Sequence, residues 1–558
     1  MSSLDDRTMQ ATQAMQDFQL ADDIEDILNK PEEEEGNVEY KRIVNVDNIE
    51  KRAAQMQRRM RQGDGECFYV IGLDDDGSFY GLSDDEMNLS LEMLEKVAQL
   101  NDYSIRVIDV IVKGDRKLTR VLVRENNLTF HREIHLATAG SPDAGKSTLI
   151  GVLSSGRLDN GRGSARSRVF NFRHEVETGR TSSASHNIIG YTTAGEHVKQ
   201  EGSIRELTMD EIADRSAKIV NVSDLAGHAR YTIRTTYSGL ASRALDFALI
   251  IIGANRQLTP KDMVLEHIKM CISYRLPIVF VLTKMDLVAD KMEVYQDTLT
   301  SIRNLFKKGS SSKLFQIKNI SDVVEATHLK EKHIVPLFEV SSTTGQGIQL
   351  LHEFLNLYQS SHIFSPNLPV ELYINGNYLV KGVGMIVSGF LSQGTIKRGD
   401  MLYLGPYANG SYKPVTVKSI HVKRKNVEVA TAGRNVCLAI KNLDRKELKR
   451  GMVVVTTPPK PVRSFKAEVI ADTRKILHPG YKPMMIVEQY RSVVEVLNVD
   501  CQIDVPIRKS NGGIRNNGSR TCATFKPVYR LPYLKVNDRF VLIDGGVRLV
   551  GIVTELYD

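Results

Sequence analysis

The residues best suited to chemistry in this chain of 558 residues form the run Gly140-Ser-Pro-Asp-Ala-Gly145-Lys146-Ser147, with the spacing GxxxxGK[ST]. In such a loop the glycines let backbone N–H groups curl round phosphate oxygens, and the lysine adds a positive charge. The serine hydroxyl offers a ligand to Mg²⁺, and the helix that follows points its positive end at the anion. The loop therefore indicates a nucleotide phosphate site, without choosing between ATP and GTP. Its expected nucleotide contacts are Gly140, Ser141, Asp143, Ala144, Gly145, Lys146, Ser147 and Thr148.

Two further segments could bind Mg²⁺ and contact the terminal phosphate. Asp224-Leu-Ala-Gly227-His228 follows a strand-like run and matches DxxGH, so Asp224 can hold Mg²⁺ through water. The N–H group of Gly227 can sense the γ-phosphate. Thr181, which lies between the two motifs, can provide a second hydroxyl to Mg²⁺ and a γ-phosphate contact. The predicted magnesium site is thus formed by Ser147, Thr181 and Asp224.

The choice of base comes from two later segments. Thr283-Lys284-Met-Asp286 closes another strand-like run and matches [NT]KxD. The carboxylate of Asp286 can accept from guanine N1–H and the exocyclic amine, and adenine has no such pair of donors. The stem of Lys284 would lie over the ring, and Ser341 and Ser342 fit a backbone clamp on guanine O6. Each motif is common alone, but their shared order indicates a site for GTP and GDP.

The elements that would carry these motifs follow from the apolar runs. From His135 to about residue 360, strand-like runs alternate with helical stretches, which predicts a parallel sheet wrapped in helices. Beyond Pro366, short β-rich segments with Gly and Asn turns predict an all-β part, divided near Thr456 to Ser464. No apolar run approaches the roughly 20 residues that span a bilayer. We therefore expect a soluble intracellular protein with no membrane partner.

The beginning of the sequence has a different character. Residues 1–39 are polar, acidic and poor in aromatics, so they are predicted to be mostly disordered. Residues 40–130 are predicted to form a small α+β domain. It would contain a basic helix and a hairpin of the runs CFYVIG and SFYGLS, with its turn in LDDDG. Ser83 or Asp84 would cap a second helix.

Charge and cysteine content bear on partners and compartment. The net charge is +7 although the first forty residues are acidic, which fits either a polyanionic partner such as RNA or a solubilising tail. Basic clusters at residues 51–61, 418–425 and 508–520 could neutralise phosphates or could be solvated faces. The five cysteines lie far apart. They argue against a disulfide framework and a zinc site, and they fit a reducing compartment.

Several of these segments resemble a known family. A histidine directly after DxxG is characteristic of the translational GTPases that include elongation factor Tu. The segment from Lys381 to Phe390 looks like their second-domain barrel, and RFVLIDGGVRLVGIVTEL is similar to their third-domain barrel. The run from Leu149 to Arg166 and the run ETGRTSS look like the eukaryotic GTP-binding protein one and two group. The resemblance extends from about residue 40 to the end.

The resemblance implies an α/β P-loop GTPase domain followed by two all-β barrels, after a small α+β domain and an acidic disordered N-terminus. It also implies catalysis by His228, Thr181 and Lys146, with His228 orienting the attacking water. Loss of the γ-phosphate would release two loops and change how the barrels dock. The expected boundaries are 1–39 for the tail, 40–130 for the N-terminal domain, 131–362 for the GTPase domain, and 363–460 and 461–558 for the barrels.

Three residues depart from the family pattern. Pro142 stands where an apolar gate residue beside the catalytic histidine is usual, and Arg180 stands at the other gate position. Thr283 replaces the more frequent asparagine of NKxD, which is a tolerated variation. The first two departures bear on the rate of hydrolysis and on its activation, but not on nucleotide binding.

The resemblance leaves several functions open. The first is a cytoplasmic, monomeric GTPase that delivers or samples tRNA at the ribosome. The second is a GTP-gated adaptor in RNA surveillance, since the closer group is associated with mRNA turnover through the exosome. A GTPase subunit of a metabolic enzyme, such as the sulfate-activating complex, shares this architecture. A slow GTP-binding scaffold is the remaining alternative, given Pro142.

Overall fold

The computed structural model describes most of the chain, as one mixed N-terminal sheet, one α/β domain and two β-barrels. None of the described helices is long and apolar enough to cross a membrane. Residues 1–30 of the predicted tail and most of the basic cluster at 508–520 lie outside the described part. The described residues are 31–45, 48–126, 131–170, 185–199, 206–225, 236–259, 262–305, 312–441, 443, 446–471, 477–503, 519–544 and 547–558.

The N-terminal domain is a four-stranded sheet with the strand order β1-β2-β4-β3. β1 is parallel to β2, and β4 lies antiparallel to both β2 and β3. Its two helices bury Met56 and Leu94 against Val123 of the sheet. β1 begins at Val38, inside the range predicted to be disordered. The elements are β1 (Val38–Lys41), α1 (Ile49–Gln62), β2 (Glu66–Ile71), α2 (Asp84–Gln99), β3 (Tyr103–Lys113) and β4 (Arg116–Glu125).

The turn of the predicted hairpin is present, since the N–H of Asp74 donates to Ser78 O at 3.0 Å, but the second strand of the hairpin does not form. The described residues 72–82 form two isolated bridges, between Leu73 and Phe79 and between Leu82 and Lys117, in place of a second strand. Since β1 and β4 occupy the two edges of β2, a returning strand has no edge on which to pair. The helix start was predicted better, because the hydroxyl of Ser83 accepts from the N–H of Glu86 at 3.3 Å in a capping box.

The α/β domain has a seven-stranded sheet with the order β10-β11-β9-β8-β5-β7-β6. β6 runs antiparallel to β7, and the other neighbours are parallel. Successive strand residues belong to cores on opposite faces: Leu136 and Leu249 face one core, and Ala137 and Ile250 face the other. Burial on both faces explains the continuous apolar runs of the sequence.

The bounds of this domain's strands are β5 (Arg132–Gly140), β6 (Ser185–Tyr191), β7 (Lys218–Asp224), β8 (Phe247–Gly253), β9 (Ile278–Thr283), β10 (Lys313–Gln316) and β11 (Ile334–Glu339). Its α-helices are α3 (Lys146–Ser155), α4 (Met209–Asp214), α5 (Tyr237–Leu240), α6 (Met263–Tyr274), α7 (Met292–Leu305), α8 (Ile320–Thr327) and α9 (Ile348–Leu357).

Two six-stranded barrels follow, which confirms the predicted fold class. In the first, pairing of β15 with β16 closes the order β15-β20-β12-β13-β19-β16, and in the second β26 pairs with β21. The strands of the first barrel domain are β12 (Glu371–Val380), β13 (Gly384–Gln393), β14 (Thr395–Lys397), β15 (Met401–Gly405), β16 (Lys413–Val422), β17 (Lys425–Val427), β18 (Val429–Thr431), β19 (Arg434–Ile440) and β20 (Val453–Val455). Those of the second are β21 (Ser464–Ala471), β22 (Met484–Val487), β23 (Tyr490–Ile503), β24 (Ser519–Pro527), β25 (Arg539–Asp544) and β26 (Val547–Tyr557).

A buried charge cluster joins the N-terminal domain to the α/β domain. The carboxylate of Glu66, at the start of β2, lies 3.2 Å from Arg124 Nε, 3.6 Å from Arg132 Nε and 3.7 Å from Lys218 Nζ. Gln359 also donates to it, at 3.4 Å. Burial alone would raise the pKa of Glu66, but the surrounding cations hold it at about 2. The carboxylate is therefore charged at every physiological pH.

A second charged contact joins the α/β domain to both barrels. Arg243, just beyond α5, has its Nε 3.1 Å from the carboxylate of Glu488 and pairs with Asp538, both in the second barrel. Its guanidinium also lies over the ring of Tyr373 in the first barrel, 5.2 Å from the ring centre. The α/β domain and the two barrels therefore meet at one arginine.

Candidate nucleotide-binding site

The phosphate loop lies between β5 and α3 and is shaped by positive backbone angles. Gly140 has φ 154°, and a Cβ there would lie 2.2 Å from the carbonyl oxygen of Ile251, so the position requires glycine. Asp143 and Gly145 have φ 61° and 87°. Gly145 is also the N-cap of α3, which begins at Lys146. A tight loop opening into a helix N-terminus presents backbone N–H groups to an anion.

Lys146 is buried inside this loop. Its ammonium donates to the carbonyl oxygens of Gly140 at 3.2 Å and of Ser141 at 2.9 Å, which holds the charge at the centre of the loop. Burial lowers the pKa of Lys146, and the carboxylates of Asp224 and Asp143 act in the opposite direction. A phosphate bound in the loop would favour the charged form further, because an opposite charge at this distance stabilises an ammonium.

The predicted magnesium ligands that the structure describes lie next to each other. Asp224, buried at the end of β7, accepts from Ser147 Oγ at 2.6 Å and from Thr138 Oγ1 at 2.9 Å. A hydroxyl and a carboxylate are hard oxygen ligands, which is the chemistry that Mg²⁺ prefers when it also binds phosphates. Ser147 and Asp224 therefore fit a magnesium ion. Thr181, the third predicted ligand, lies outside the described residues.

The two base-recognition segments meet at the carboxyl ends of β9 and β11. Asp286 accepts a hydrogen bond from Ser341 Oγ at 2.6 Å. Thr283 Oγ1 donates to the carbonyl oxygen of Ala144 at 2.6 Å, which ties the end of β9 to the phosphate loop. Lys284 has φ 63°, a left-handed conformation that turns the chain sharply after the strand. The carboxylate, the lysine and the phosphate loop thus belong to one edge of the sheet.

Asp159 also belongs to this region, although it is not one of the predicted site residues. Its backbone N–H donates to the carbonyl oxygen of Ser342 at 2.8 Å, which joins the segment after α3 to the predicted guanine clamp. Its carboxylate accepts from the N–H groups of Gly161 at 2.9 Å and Ala165 at 2.8 Å. The signal in the sequence is Asp-Asn-Gly, a pattern in which an aspartate side chain orders the turn that follows it.

The structure describes some of the remaining predicted residues and not others. Thr148 lies in the first turn of α3. Gly227 and His228, like the gate residue Arg180, lie outside the described residues. Pro142 lines a cavity of about 150 Å³ between the phosphate loop and the segment after β8. The structure thus brings the phosphate, magnesium and base residues of the described part together, whereas the water-orienting role of His228 stays a prediction.

Two family models match the α/β domain that contains this site and the barrel that follows it. Residues 131–361 match the elongation factor Tu GTP binding domain. Residues 384–455 match elongation factor Tu domain 2. The two matches correspond to the α/β domain and to the first barrel.

Similar proteins include two curated GTP-binding proteins. GTP-binding protein 1 of Xenopus laevis is 33% identical over 508 residues, which cover 90% of this chain and 75% of that protein. GTP-binding protein 2 of Homo sapiens is 32% identical over 552 residues, which cover 94% of this chain and 88% of that protein.

Solved structures of translation factors share the fold. A bacterial selenocysteine-specific elongation factor, EF-Sec, has a TM-score of 0.52 at 19% identity, over 76% of this chain and 58% of that one. Translation elongation factor SelB of Methanococcus maripaludis, bound to the GTP analogue GppNHp, also has a TM-score of 0.52 at 19% identity. The superposition with SelB covers 76% of this chain and 80% of the SelB chain.

Proposed function

Because the chain belongs to the translational GTPases of the GTP-binding protein 1 and 2 group, we propose that it is a molecular switch that binds GTP and hydrolyses it to GDP and phosphate. The observation that supports the proposal is that two hydrogen bonds, one in each half of the site, lie at the same edge of the sheet. Ser147 meets Asp224, and Asp286 meets Ser341, each at 2.6 Å. The first contact belongs to a phosphate and magnesium site, and the second to a guanine site.

In the proposed mechanism the described residues bind and orient the nucleotide. Lys146 and the N–H groups of the phosphate loop hold the β- and γ-phosphates, and Asp286 holds the guanine edge. Ser147 and Asp224, together with Thr181, would hold Mg²⁺, which supplies positive charge to the phosphate oxygens when bound. His228 would orient the attacking water, so that hydrolysis depends on the placement of the segment after Asp224.

The proposed site of action is the ribosome, with tRNA as the RNA partner, in the cytoplasm. Two features support this choice. The order of nucleotide domain and two barrels is that of translation factors, and Arg243, which follows His228 by 15 residues in the sequence, contacts both barrels. A change in that segment would therefore alter how the barrels dock, which is how hydrolysis could release a partner.

One observation favours the alternative of a GTP-gated adaptor linked to the exosome. The N-terminal domain is fixed to the nucleotide domain by the buried cluster round Glu66, so a protein bound there would be mechanically connected to the switch. Removing the whole N-terminal domain is a poor test, because it would leave Arg132 and Lys218 without their buried carboxylate. Capture of RNA-decay proteins by the full-length protein, loaded with GppNHp or with GDP, tests the adaptor directly.

The decisive experiment measures GTP hydrolysis by the purified full-length protein with and without ribosomes, beside His228→Ala. We expect stimulation by ribosomes and its reduction by about 100-fold or more in the variant, as for loss of a group that acts in proton transfer or water positioning. Tight GTP binding without any stimulation would contradict the ribosomal role and leave the adaptor as the better proposal. Failure to bind GTP at all would overturn the switch itself.

A further inference from the structure

The far end of β6 forms a small turn that lies between three parts of the molecule. Residues 192–198, here called the β6 turn, are closed by hydrogen bonds from the N–H of Gly195 to Thr192 O at 2.9 Å and from the N–H of Val198 to Gly190 O at 2.8 Å. At the near end of the same strand, Ser185 pairs directly opposite Asp224. β6 therefore runs from the magnesium ligand to the β6 turn.

Two arginines of the N-terminal domain hold the β6 turn. Arg124, on β4 and fully buried, donates from Nη1 to Thr192 O at 3.3 Å. Arg106, on β3, donates from Nη1 to Gly195 O at 3.5 Å. The approach is close, since a Cβ at Gly195 would lie 2.5 Å from that nitrogen. Each carbonyl thus receives a charged donor from a different strand of the neighbouring domain.

The same arginines also donate hydrogen bonds to residues near the end of α9. Arg124 Nη2 donates to the carbonyl oxygen of Asn356 at 2.9 Å, and Arg106 Nη2 donates to the carboxylate of Glu353 at 2.7 Å. Asn356 completes the arrangement by donating from Nδ2 to Gly195 O at 3.2 Å. The β6 turn is therefore held from two sides by groups that are themselves bonded to each other.

The third neighbour of the β6 turn is the helix of the phosphate loop. His197 lies against Gly156, the C-cap of α3, where a Cβ would be 3.3 Å from the imidazole Nδ1. The ring of His197 packs on His352 of α9 at 4.6 Å between centres, and His352 shares a hydrogen bond of 2.9 Å with Tyr191 at the end of β6. Displacement of the β6 turn would consequently disturb both β6 and α3.

We propose that the N-terminal domain slows the release of bound nucleotide by holding the β6 turn in place. Arg106 and Arg124 act as positioning residues. The inference rests on the proposed function, since it concerns the same nucleotide site. A strand of seven residues is about 20 Å long, and a paired strand transmits a shift of one end to the other more faithfully than a loop does. Fixing the β6 turn keeps Ser185 opposite Asp224 and keeps α3 behind the phosphate loop.

The test uses the full-length protein loaded with mant-GDP, a fluorescent GDP, and measures its release after addition of excess GDP. Arg106→Ala is the principal variant, because Arg106 is partly exposed and does not contact Glu66, so its loss leaves the buried Glu66 cluster intact. We expect release about five- to tenfold faster, the lower range of couplings between linked sites. Gly195→Ala, which keeps both arginines, is expected to act in the same direction, and Arg106→Lys to restore part of the slow release.

Arg116→Ala is the matched control, because Arg116 lies on the same sheet but pairs with Glu86 of its own domain at 2.9 Å. The midpoint of thermal unfolding is recorded for every variant, so that a general loss of stability is separated from faster release. Release at the wild-type rate from folded Arg106→Ala and Gly195→Ala would overturn the inference and leave the proposed function standing. Absence of mant-GDP binding by the unaltered protein would overturn both.

Discussion

At the scale of the residue, we propose that Asp286, which accepts from Ser341 Oγ at 2.6 Å, recognises the guanine base. A carboxylate accepts from both donors of the guanine edge, and hydrogen bonds to a charged group contribute about 1.5 to 3 kcal/mol each. We expect Asp286→Asn to weaken GTP binding by about 100-fold or more. The variant should gain affinity for xanthosine triphosphate, because the amide N–H₂ can donate to the carbonyl that xanthine carries in place of the amine.

Competition against mant-GDP measures both affinities. Asp290→Asn is the matched control. Asp290 is exposed four residues after Asp286, and the substitution makes the same change of charge. Equal loss of GTP and xanthosine triphosphate binding in Asp286→Asn would show that the carboxylate supports the fold and does not read the base.

Most residues of the site could be predicted from the sequence because phosphate and guanine chemistry needs fixed residue types at fixed spacing. Gly140, Lys146 and Asp286 are of this kind. Asp159 was not predicted, because the Asp-Asn-Gly turn that its carboxylate orders is common and the partner of its backbone N–H cannot be read from residue types. Its partner Ser342 lies almost two hundred residues away along the chain, and only the folded sheet brings the two together. The roles of these site residues stay predictions, as do those of Thr181 and His228.

At the scale of the element, we expect the histidines that link α9 to the β6 turn to make the α/β domain sensitive to acid. Burial lowers the pKa of His197 to about 3 and that of His352 to about 4. Both pKa values lie below that of an unfolded histidine, so the unfolded chain takes up protons first as the pH falls. The stability that the neutral rings provide is complete above about pH 6.5 and is lost progressively towards pH 4.

The variant His352→Gln tests this dependence. Between pH 7.5 and pH 4.5 the wild-type protein should lose about 2 to 3 kcal/mol of unfolding free energy at His352 alone. The midpoint of urea unfolding should therefore fall less in the variant over that interval. His333→Gln, at an exposed position, should behave as the wild type does. The same fall in all three proteins would mean that other groups control the acid response.

The elements themselves were predictable to different degrees. The alternation of apolar runs and helical stretches predicted the parallel sheet, since its central strands, such as β8 and β9, are buried on both faces and read as continuous apolar runs. The pairing of strands was not predictable, because a pattern of period two identifies a strand but not its neighbour. This is why SFYGLS was assigned to a hairpin, and why the antiparallel placement of β6 beside Asp224 emerged only from the structure.

At the scale of the whole molecule, Arg243 links the nucleotide domain to both barrels. Burial raises the pKa of Glu488 to about 7 in spite of the arginine, and it also raises the pKa of Asp538. Because these pKa values lie above those of unfolded carboxyls, folding favours the protonated forms. The contribution of these groups to stability declines as the pH rises towards 7, and Arg243 limits that decline by pairing with the charged forms.

We therefore expect Arg243→Ala to destabilise the protein by about 2 to 3 kcal/mol at pH 8, because the buried carboxylates of Glu488 and Asp538 lose a partner that is itself partly exposed. The loss should be smaller at pH 6, where Glu488 can take up a proton. Thermal unfolding at the two pH values measures the difference. Arg398→Ala, which breaks an exposed ion pair with Glu428, is the control and should change stability by less than about 1 kcal/mol. Equal destabilisation at both pH values would contradict this account of the junction.

The cluster round Glu66 has a consequence for the order in which the protein is made. Arg124 belongs to the same domain as Glu66, but Arg132, Lys218 and Gln359 come later, and Gln359 follows by 293 residues. At the usual rate of synthesis that interval is on the order of 15 to 60 s. The N-terminal domain thus leaves the ribosome before the nucleotide domain, and its charged surface stays incomplete until the residues just after α9 have been made. Its docking is completed only when the nucleotide domain is whole, so a chain truncated before residue 359 would present that surface to chaperones and proteases.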